Sequence, residues 1–348
     1  MHLQDPTAKS NPIPPQMTMM QMASGYFVSQ SIYVAAKLGI ADLLKDSQLH
    51  CDALAAATDT HSDSLYRILR LLASVGIFAE TEPRCFELTP LAACLQSDIP
   101  DSIRAFTIML GEEHYQACGN LMHSIKTGEC AFNNSYGINI FEYLQQNPSS
   151  AQIFDQAMTQ LSVAENSAVL AAYDFSSIGK LVDIGGGNGA LLAAILQTQP
   201  SMSGVLFELP DVINRAKDVL EKAGVSKRTQ LVGGSFLETI PAGGDAYMLK
   251  HIAHNWDDEQ VISILKRTHQ AMPQDGRLLV MEPVIPPGNE PFFGKLLDIV
   301  MLVVSPSGRE RTEAKYQELF KLAGFKLTKI FPTPSDISVI EGVKLSTP

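Results

Sequence analysis

The stretch Leu181-Val-Asp-Ile-Gly-Gly-Gly-Asn-Gly-Ala190 is the most informative part of the chain. A short apolar run ends in consecutive glycines, and from Ala190 to Leu196 the apolar residues follow a helical pattern. A strand that leads through glycines into a helix brings its backbone close to a nucleotide-like ligand, because glycine has no Cβ in the way. We therefore expect a cofactor at Gly185 to Gly189, beside Asp183 near the end of the strand.

A second strand-like run, 204–207, leads directly into Glu208. About 20 residues after such a glycine loop, a carboxylate can accept hydrogen bonds from both hydroxyls of a ribose. The same pattern also fits the nicotinamide fingerprint in its Gly/Ala form, so an NAD(P)-dependent oxidoreductase is an alternative. A nicotinamide fold usually begins its domain with this strand, whereas here a long, helical region precedes it. The position favours a C-terminal domain that binds a methyl donor.

The segment Lys250-His-Ile-Ala-His-Asn-Trp256 follows another strand-like run, 246–250. A histidine close to a tryptophan at the end of a strand is typical of a base beside an aromatic ring that stacks on a ligand. This combination indicates methyl transfer.

With these motifs the chain resembles a known family, the S-adenosylmethionine-dependent small-molecule O-methyltransferases. They include plant caffeate and flavonoid enzymes and bacterial polyketide and carotenoid enzymes. The resemblance extends from about Met22 to about Leu345. It rests on motifs that occur in the family's order: Val182-Asp-Ile-Gly-Gly-Gly187, Phe207-Glu-Leu-Pro-Asp-Val212, Gly233-Gly-Ser-Phe236, Lys250 to Trp256 with the acidic 257–259, Met281-Glu-Pro-Val-Ile285 and Gly308-Arg-Glu-Arg-Thr312.

The resemblance implies S-adenosylmethionine as the cofactor. Glu208 would anchor its ribose, although the family more often has aspartate there. Ser235 stands where the family commonly places an acid for the adenine amino group, so this contact differs here. The residues carried over to the cofactor are Asp183, Gly185, Gly187, Gly189, Glu208, Ser235, Phe236, Lys250, Trp256 and, on a helix that lines the site, Ser162.

The resemblance also makes His254 the general base and Glu282 and Glu310 the two acids that flank it. A free histidine titrates near about 6.5 and a phenol near about 10, a gap that proximity can bridge. A simple alcohol is a far weaker acid, so we expect a phenolic or enolic hydroxyl of a small, aromatic secondary metabolite as the acceptor. Asn255 replaces an acid common in the plant enzymes. Substrate contacts are expected from Phe154, Met158, Leu161, Asn255, Met301 and Ser305.

His251 and His254 have a spacing that could bind zinc from one helical face. Two ligands do not make a site, and no neighbouring cysteine or further histidine completes one. Asp257 and Asp258 are the remaining candidates, but we expect them at a helix start, where carboxylates complement the helix dipole. We therefore expect no metal.

The order of elements predicts an α/β fold. Strand-like runs alternate with helical patterns in the second half of the chain, which predicts a parallel sheet with helices on both faces, and a closing antiparallel hairpin typical of methyltransferase sheets. The runs are 180–183, 204–207, 230–232, 246–249 and 277–281, with the hairpin at 327–331 and 337–340. We divide the chain into a flexible 1–16, a helical winged-helix dimerisation domain at 17–100, a helical linker and substrate-lining segment at 101–170, and a Rossmann-like methyltransferase domain at 171–348.

The winged-helix pattern consists of helices at 51–57 and 62–75, the second capped by Ser62 or Asp63, and a hairpin at 77–88. A DNA-binding regulator is therefore an alternative of a different class. The candidate recognition helix offers Arg67 and Arg70 as its only cations, which is too few for groove binding. In the resembling family this module dimerises. The apolar residues that recur from Met17 onward exceed what a free helix can expose, so we expect a homodimer.

Composition agrees with a globular enzyme. The chain has 348 residues, 45% of them hydrophobic, and a formal net charge of -11, which weighs against nucleic acid as a partner. The uncharged stretch 10–36 is interrupted by prolines and glutamines, so we expect neither a membrane span nor a signal peptide. The five cysteines lack paired spacing and predict reduced thiols. We expect a cytoplasmic enzyme whose partner is a small hydroxylated substrate.

Overall fold

The computed structural model of the chain describes residues 14–345. The chain divides into two compact units, Met1–Glu112 and Glu113–Pro348. Apart from Pro14, Pro15 and Gln16, the segment 1–16 that we expected to be flexible lies outside the described residues. None of the helices in 14–345 is long and apolar enough to cross a membrane. The five cysteines are free thiols.

The N-terminal unit is mostly helical and contains a small three-stranded antiparallel sheet. Its elements are α1 Pro15–Ala23, α2 Gly25–Leu38, α3 Ile40–Leu43, β1 Leu49–His50, α4 Cys51–Thr58, α5 Ser62–Ser74, β2 Phe78–Glu82, β3 Cys85–Leu88, α6 Pro90–Ala93 and α7 Arg104–Gly111. The two helices and the hairpin of the winged-helix pattern are thus present.

The predicted cap of α5 is wrong. The N-cap residue is His61, and its side chain makes no capping hydrogen bond. The Ser62 hydroxyl donates to the Asp52 carboxylate instead, and Asp63 pairs with Arg84. Because both side chains are engaged by neighbouring elements, they are not available to the first turn of their own helix.

Helices α1 and α2 expose an unusual amount of apolar surface. The helical pattern that begins at Met17 forms two helices and not one, because the helix is interrupted at Ser24, between α1 and α2. Five large apolar side chains near this break are 49% to 73% exposed, namely Met17, Met19, Met20, Met22 and Phe27. Burial in α2 is confined to Ser31, Ala35 and Ala36. Exposed apolar patches of this kind mark interaction surfaces.

The C-terminal unit begins with a series of helices and continues as alternating strands and helices. Its helices are α8 Glu113–Gly119, α9 Leu121–Thr127, α10 Ala131–Tyr136, α11 Ile140–Gln146, α12 Pro148–Ala172, α13 Ala190–Thr198, α14 Pro210–Lys222, α15 Asp258–Ala271, α16 Phe293–Val304 and α17 Glu313–Leu322, with 3-10 turns at Ser226–Arg228 and Ala253–Asn255. Its strands are β4 Lys180–Ile184, β5 Ser203–Glu208, β6 Thr229–Gly233, β7 Ala246–Lys250, β8 Arg277–Ile285, β9 Arg311–Thr312, β10 Phe325–Pro332 and β11 Ile337–Lys344.

The strands form one sheet in the order β10-β11-β8-β7-β4-β5-β6, with β9 beside the end of β8. Strands β6, β5, β4, β7 and β8 run parallel, whereas β11 and β10 are antiparallel and close the sheet. The predicted parallel strands and the closing hairpin are confirmed. Strand β9, only two residues long, was not predicted from the sequence.

Both faces of the sheet are buried. Alternate residues of the same strand belong to different apolar cores: Leu181, Leu206 and Met248 pack in one core, and Val182, Val205 and Tyr247 pack in the other. A strand buried on both sides has a nearly continuous apolar sequence, which is why these runs lack polar alternation. Polar side chains are therefore concentrated where the strands end.

Candidate active site

The candidate site lies along the carboxyl ends of β4, β5, β7 and β8. The register pairs Asp183 with Leu206 and Met248, and Lys250 with Met281. The loops that follow these strands therefore leave the sheet along one edge. In open α/β sheets, ligands bind outside the carboxyl ends of the parallel strands.

The glycine loop connects β4 to α13. Gly185, Gly187 and Gly189 have φ angles of 69°, 58° and 76°, which side chains rarely allow. A Cβ on Gly185 would lie 2.6 Å from Ile252, whereas one on Gly187 would meet nothing within 4 Å. The loop thus packs tightly against the protein at one glycine and leaves open space at the next, as expected of a backbone that faces a ligand.

Glu208 and Asp183 lie beside this loop. The Glu208 carboxylate accepts hydrogen bonds from the backbone N–H groups of Gly187, at 3.0 Å, and of Leu209, at 2.7 Å. Burial, together with the charge of Glu208, raises the pKa of Asp183 to about 7. The two acids therefore differ: Glu208 is half-buried and fixed by the loop, and Asp183 is deeply buried at the base of the site.

His254 lies on the short turn after β7 and faces two buried carboxylates. Its Nδ1 is 2.9 Å from Glu310 Oε1 and 3.7 Å from Glu282 Oε2, and its backbone N–H donates to Glu282 Oε1 at 3.3 Å. Burial lowers the pKa of His254, but the charges of Glu282 and Glu310 and the hydrogen bond to Glu310 outweigh burial and raise it to about 8. The three predicted catalytic residues are thus brought together.

Arg311 fixes the turn that carries His254. The guanidinium of this buried side chain donates to the carbonyls of Ala253 at 2.8 Å and Trp256 at 2.7 Å, and it binds the Asp258 carboxylate at 2.9 Å. Arg311 is not among the residues expected from the sequence, although it stands inside one of the family motifs. The position of Arg311 directly after Glu310 was the sequence feature that could have indicated its role.

Glu310 is fixed from its own side of the site. Its backbone N–H donates to Asp298 Oδ1 on α16 at 2.8 Å, and the backbone N–H of Arg309 donates to the His254 carbonyl at 2.9 Å. Burial raises the pKa of the Glu310 carboxyl above its ordinary value. The acid and the imidazole are therefore held by backbone contacts as well as by their mutual hydrogen bond.

A second charged group joins α12 to the end of β7. Glu165 accepts from the Lys250 ammonium at 2.8 Å and lies 2.9 and 3.0 Å from His251 Nε2 through its two oxygens. Lys250 also donates to Asn166 Oδ1 at 3.0 Å. Burial raises the pKa of Glu165, but the hydrogen bond to His251 and the charges of His251 and Lys250 lower it to about 2. Glu165 and Asn166 were not expected from the sequence, although Glu165 lies one helical turn after Ser162.

Phe236 and Trp256, the predicted aromatic pair, contact each other. Their ring centroids are 6.1 Å apart and the rings are nearly perpendicular, at 88°. Both rings are half-buried. Ser235, beside Phe236, accepts a hydrogen bond from the Leu237 N–H at 3.2 Å. Because residue 235 is a serine, this position offers a neutral hydroxyl in place of a carboxylate.

The loop residues after His254 are largely engaged within the protein. The Asn255 amide donates to the His251 carbonyl at 2.9 Å. Asp257 caps α15 by accepting from the Gln260 N–H at 2.8 Å, and Asp258 pairs with Arg311 and Lys315. The expected helix start is confirmed. Asp257 and Asp258 are thus occupied, but the buried Glu282 comes within 4.8 Å of both His251 and His254 through possible ligand atoms.

The predicted acceptor side is formed by α12 and α16. Phe154, Met158, Leu161 and Ser162 are half-buried on α12. Phe154 packs against an apolar core that includes Phe132 and Val303. Met301 is buried on α16, and the Ser305 hydroxyl accepts from the Gly308 N–H at 3.1 Å.

Comparison with known proteins agrees with this geometry. Residues 118–326 match the O-methyltransferase domain, and residues 20–98 match the O-methyltransferase dimerisation domain. A phenazine O-methyltransferase of Lysobacter antibioticus is 45% identical over 333 residues, which cover 96% of this chain and 97% of that protein. A phenazine-1-carboxylate N-methyltransferase of Pseudomonas aeruginosa is 30% identical over 322 residues, which cover 92% and 95%.

The chain belongs to the O-methyltransferase family.

Solved structures support the same assignment. A methyltransferase of calicheamicin biosynthesis, crystallised with bound SAH, the demethylated cofactor, has a TM-score of 0.86 at 32% identity over 97% of this chain and 100% of that one. This O-methyltransferase is a class I enzyme of the secondary-metabolite type, and it uses S-adenosylmethionine. The NAD(P) and DNA-binding alternatives are thereby set aside.

The residues at the edge of the sheet fit this cofactor. Gly187 leaves open space beside the loop, and the Glu208 carboxylate stands directly next to it. A carboxylate with two oxygens can accept from a ribose diol in addition to its backbone donors. The O-methyltransferase thus has a glycine loop, a carboxylate and a pair of aromatic rings at the ends of its parallel strands and in the loops that follow them.

Proposed function

We propose that this O-methyltransferase acts on a phenolic or enolic hydroxyl of a small aromatic secondary metabolite, with His254 as the general base. The observation that carries the proposal is the arrangement of His254, whose Nδ1 lies 2.9 Å from Glu310 Oε1. An imidazole that donates its Nδ1 proton to a carboxylate has its lone pair on Nε2. That nitrogen takes the proton of the acceptor hydroxyl.

Glu310 and Glu282 have separate tasks. Glu310 holds the tautomer of His254 through the Nδ1 proton, and both carboxylates stabilise the imidazolium that forms. Their charges account for the His254 pKa of about 8. This value lies closer to that of a phenol, about 10, than to that of an aliphatic alcohol, so proton transfer from a phenol or enol needs less free energy.

We assign the cofactor to the carboxyl ends of β4 and β5 and the loops beside them. When bound, S-adenosylmethionine supplies a methyl group activated by a positively charged sulfur. Glu208 accepts from the ribose hydroxyls, and Phe236 and Trp256 together give the adenine ring an aromatic surface to pack against. We assign Asp183, Gly185, Gly187, Gly189, Ser162 and Ser235 to the same cofactor site, as the sequence predicted.

We also propose ligand contacts for Lys250 and Asn255, although both side chains already have partners within the protein. Each already has a partner: Lys250 binds Glu165 and Asn166, and Asn255 binds the His251 carbonyl. An ammonium has three donors and an amide has a further acceptor oxygen, so each retains capacity for a ligand. We assign Lys250 to the cofactor and Asn255 to the acceptor on this remaining capacity.

The acceptor pocket is assigned to Phe154, Met158, Leu161, Met301 and Ser305, an apolar set with one hydroxyl suited to a planar ring. One relative is named a phenazine O-methyltransferase, and another is named a phenazine-1-carboxylate N-methyltransferase. We therefore place the acceptor among fused or substituted aromatic rings, with oxygen as the atom that receives the methyl group.

A product analysis tests this assignment. The enzyme is incubated with labelled S-adenosylmethionine and matched acceptors that differ only in the group presented, a phenol, an enol or an aromatic amine, and each product is identified by mass. We expect labelled methyl ethers from the phenol and enol. Labelled N-methyl products with no methyl ethers would contradict oxygen as the acceptor.

We also propose that the enzyme is a homodimer, formed through the N-terminal unit. The dimerisation domain matches residues 20–98, and α1 and α2 expose methionines and Phe27 that are 49% to 73% accessible. An obligate interface of this type buries about 2,000 Å² or more. Light scattering should give about twice the chain mass of 37.8 kDa at micromolar concentration; a mass equal to one chain would contradict the dimer.

A further inference from the structure

Two histidines and one glutamate in the candidate active site form a potential metal site. One possible ligand atom from each of His251, His254 and Glu282 lies within 4.8 Å of the others. Glu282 Oε2 is 3.7 Å from His251 Nδ1 and 3.7 Å from His254 Nδ1. A tetrahedral zinc ion with bonds of about 2.0–2.2 Å holds neighbouring ligand atoms about 3.3–3.6 Å apart. The two distances from Glu282 need only a small movement to meet this geometry, and the ligand atoms of the two histidines lie within 4.8 Å of each other.

Within residues 14–345, two of the atoms are buried and have no hydrogen-bond partner. They are His251 Nδ1 and Glu282 Oε2. A buried polar atom without a partner is costly, and a carboxylate as fully buried as Glu282 normally has its oxygens paired. A cation bound between these atoms would satisfy both of them.

The partner of His251 supports the same conclusion. Glu165 lies 2.9 and 3.0 Å from His251 Nε2, so this carboxylate can accept an Nε2 proton, and a ring that carries its one proton there offers the lone pair of Nδ1 to a metal. Histidines that bind metals almost always donate their other ring N–H to a carboxylate or carbonyl in this way. His251 also adopts φ = 53°, an unusual conformation for a residue other than glycine, and such strain is concentrated at functional sites.

The ligand types select the ion. Two imidazoles and one carboxylate, with a fourth position open, are a donor set typical of Zn²⁺, whereas Mg²⁺ prefers oxygen ligands and octahedral geometry. The surrounding charge also favours a cation, because Glu165, Glu282 and Glu310 lie against the two histidines, and of these three carboxylates Glu165 is the one paired with Lys250.

We propose that this group is an inhibitory Zn²⁺ site, in which zinc binds His251, His254 and Glu282 and stops methyl transfer. The inhibition rests on the proposed role of His254 as the base, but the site itself does not. If zinc binds Nδ1 of His254, the ring's proton resides on Nε2, which then cannot accept the proton of the acceptor. If zinc binds Nε2, that nitrogen is occupied directly. Methyl transfer is blocked in both cases, and the zinc-free enzyme is the active form.

Binding is measured without turnover. The full-length enzyme is titrated with Zn²⁺ by calorimetry and with Co²⁺ by visible absorption, in the absence of methyl donor and acceptor. His251→Asn removes one ligand, and asparagine tolerates the left-handed backbone at this position. We expect this variant to weaken zinc binding by at least about 10-fold, and Glu165→Gln to weaken it about 10 to 100-fold through the orientation of His251. His61→Asn, a change at an exposed histidine, is the matched control and should bind zinc like the wild type.

Turnover is then measured with added Zn²⁺. We expect the wild type and His61→Asn to be inhibited and to recover fully with a chelator, His251→Asn to lose most of this inhibition, and Mg²⁺ to have no effect. Equal zinc affinity in the wild type and His251→Asn, or no zinc binding by the wild type, would overturn the site whatever the role of His254. Zinc that binds through His251 without slowing turnover would overturn the inhibition, because His254 would then be either not bound by the ion or not the base.

Discussion

The carboxyl ends of β4 and β5 and the carboxyl ends of β7 and β8 form two neighbouring parts of one edge, but they are constructed differently. At β4 and β5 the site consists of glycine backbone and the Glu208 carboxylate, held by adjacent N–H groups. At β7 and β8 it consists of buried ionisable side chains from distant segments, centred on His254 and Glu310. We call these the backbone part and the charged part.

The difference indicates where each kind of function is determined. Backbone and one carboxylate provide shape and hydrogen bonds, so changes in the backbone part should alter affinity for the methyl donor. Buried charges determine one another's proton affinity, so changes in the charged part should alter the rate and its pH dependence. Substitutions on the two sides should therefore be separable by kinetics.

The largest effect is expected in the charged part, from His254→Ala. Removing the base should lower turnover by roughly 100 to 10,000-fold, the usual contribution of positioned proton transfer, because the hydroxyl must then lose its proton to water. Affinity for S-adenosylmethionine, measured by calorimetry, should stay near that of the wild type. His61→Ala serves as the control. A His254→Ala enzyme with normal turnover and weakened cofactor binding would reverse the assignment of the two parts.

The next effect is expected in the backbone part, from Glu208→Ala. Hydrogen bonds to a charged acceptor contribute about 1.5–3 kcal/mol, so affinity for S-adenosylmethionine should fall by about 10 to 100-fold. The variant also leaves the N–H groups of Gly187 and Leu209 without their acceptor. Turnover at saturating cofactor should change far less than affinity. Unchanged affinity in calorimetry would remove Glu208 from the cofactor site.

A smaller effect is expected from Glu310→Gln. Glutamine can still accept the Nδ1 proton of His254, so the tautomer is retained while the charge is lost. The charge of Glu310 raises the pKa of His254, so its removal should shift the low-pH limb of the rate profile to lower pH. Turnover should fall, but less than in His254→Ala, because the base remains. A limb that does not move would mean that Glu310 does not act on His254 electrostatically.

The two parts also differ in how far the sequence predicted them. The backbone part is contained in local signals: an apolar strand, its glycines and one acid at the end of the next strand. Strand-like runs of the same local kind elsewhere in the chain predicted the other parallel strands and the closing hairpin. The observed strand boundaries differ from the predicted ones by up to four residues. Strand β9 was not predicted, because two residues are too few to show a periodic pattern.

In the charged part, the family motifs led to His254, Glu282 and Glu310. The contacts that Glu165 and Arg311 make around these residues could not be predicted from the sequence, because they depend on tertiary packing. The expected cap of α5 failed for the same reason, since Ser62 and Asp63 bind neighbouring elements instead of their own helix. Local patterns specify backbone, whereas buried ion pairs depend on which elements pack together.

The pH dependence of methyl transfer tests the role of His254 most directly. The base must be neutral to accept a proton, and its pKa is raised to about 8, so kcat/KM for the acceptor should fall as the pH decreases below this value. With a series of phenols of different acidity, the midpoint of this limb should stay constant in the wild type. In His254→Ala the limb should instead follow the ionisation of each phenol. A wild-type limb that moves with the phenol, or one that His254→Ala retains unchanged, would contradict His254 as the general base.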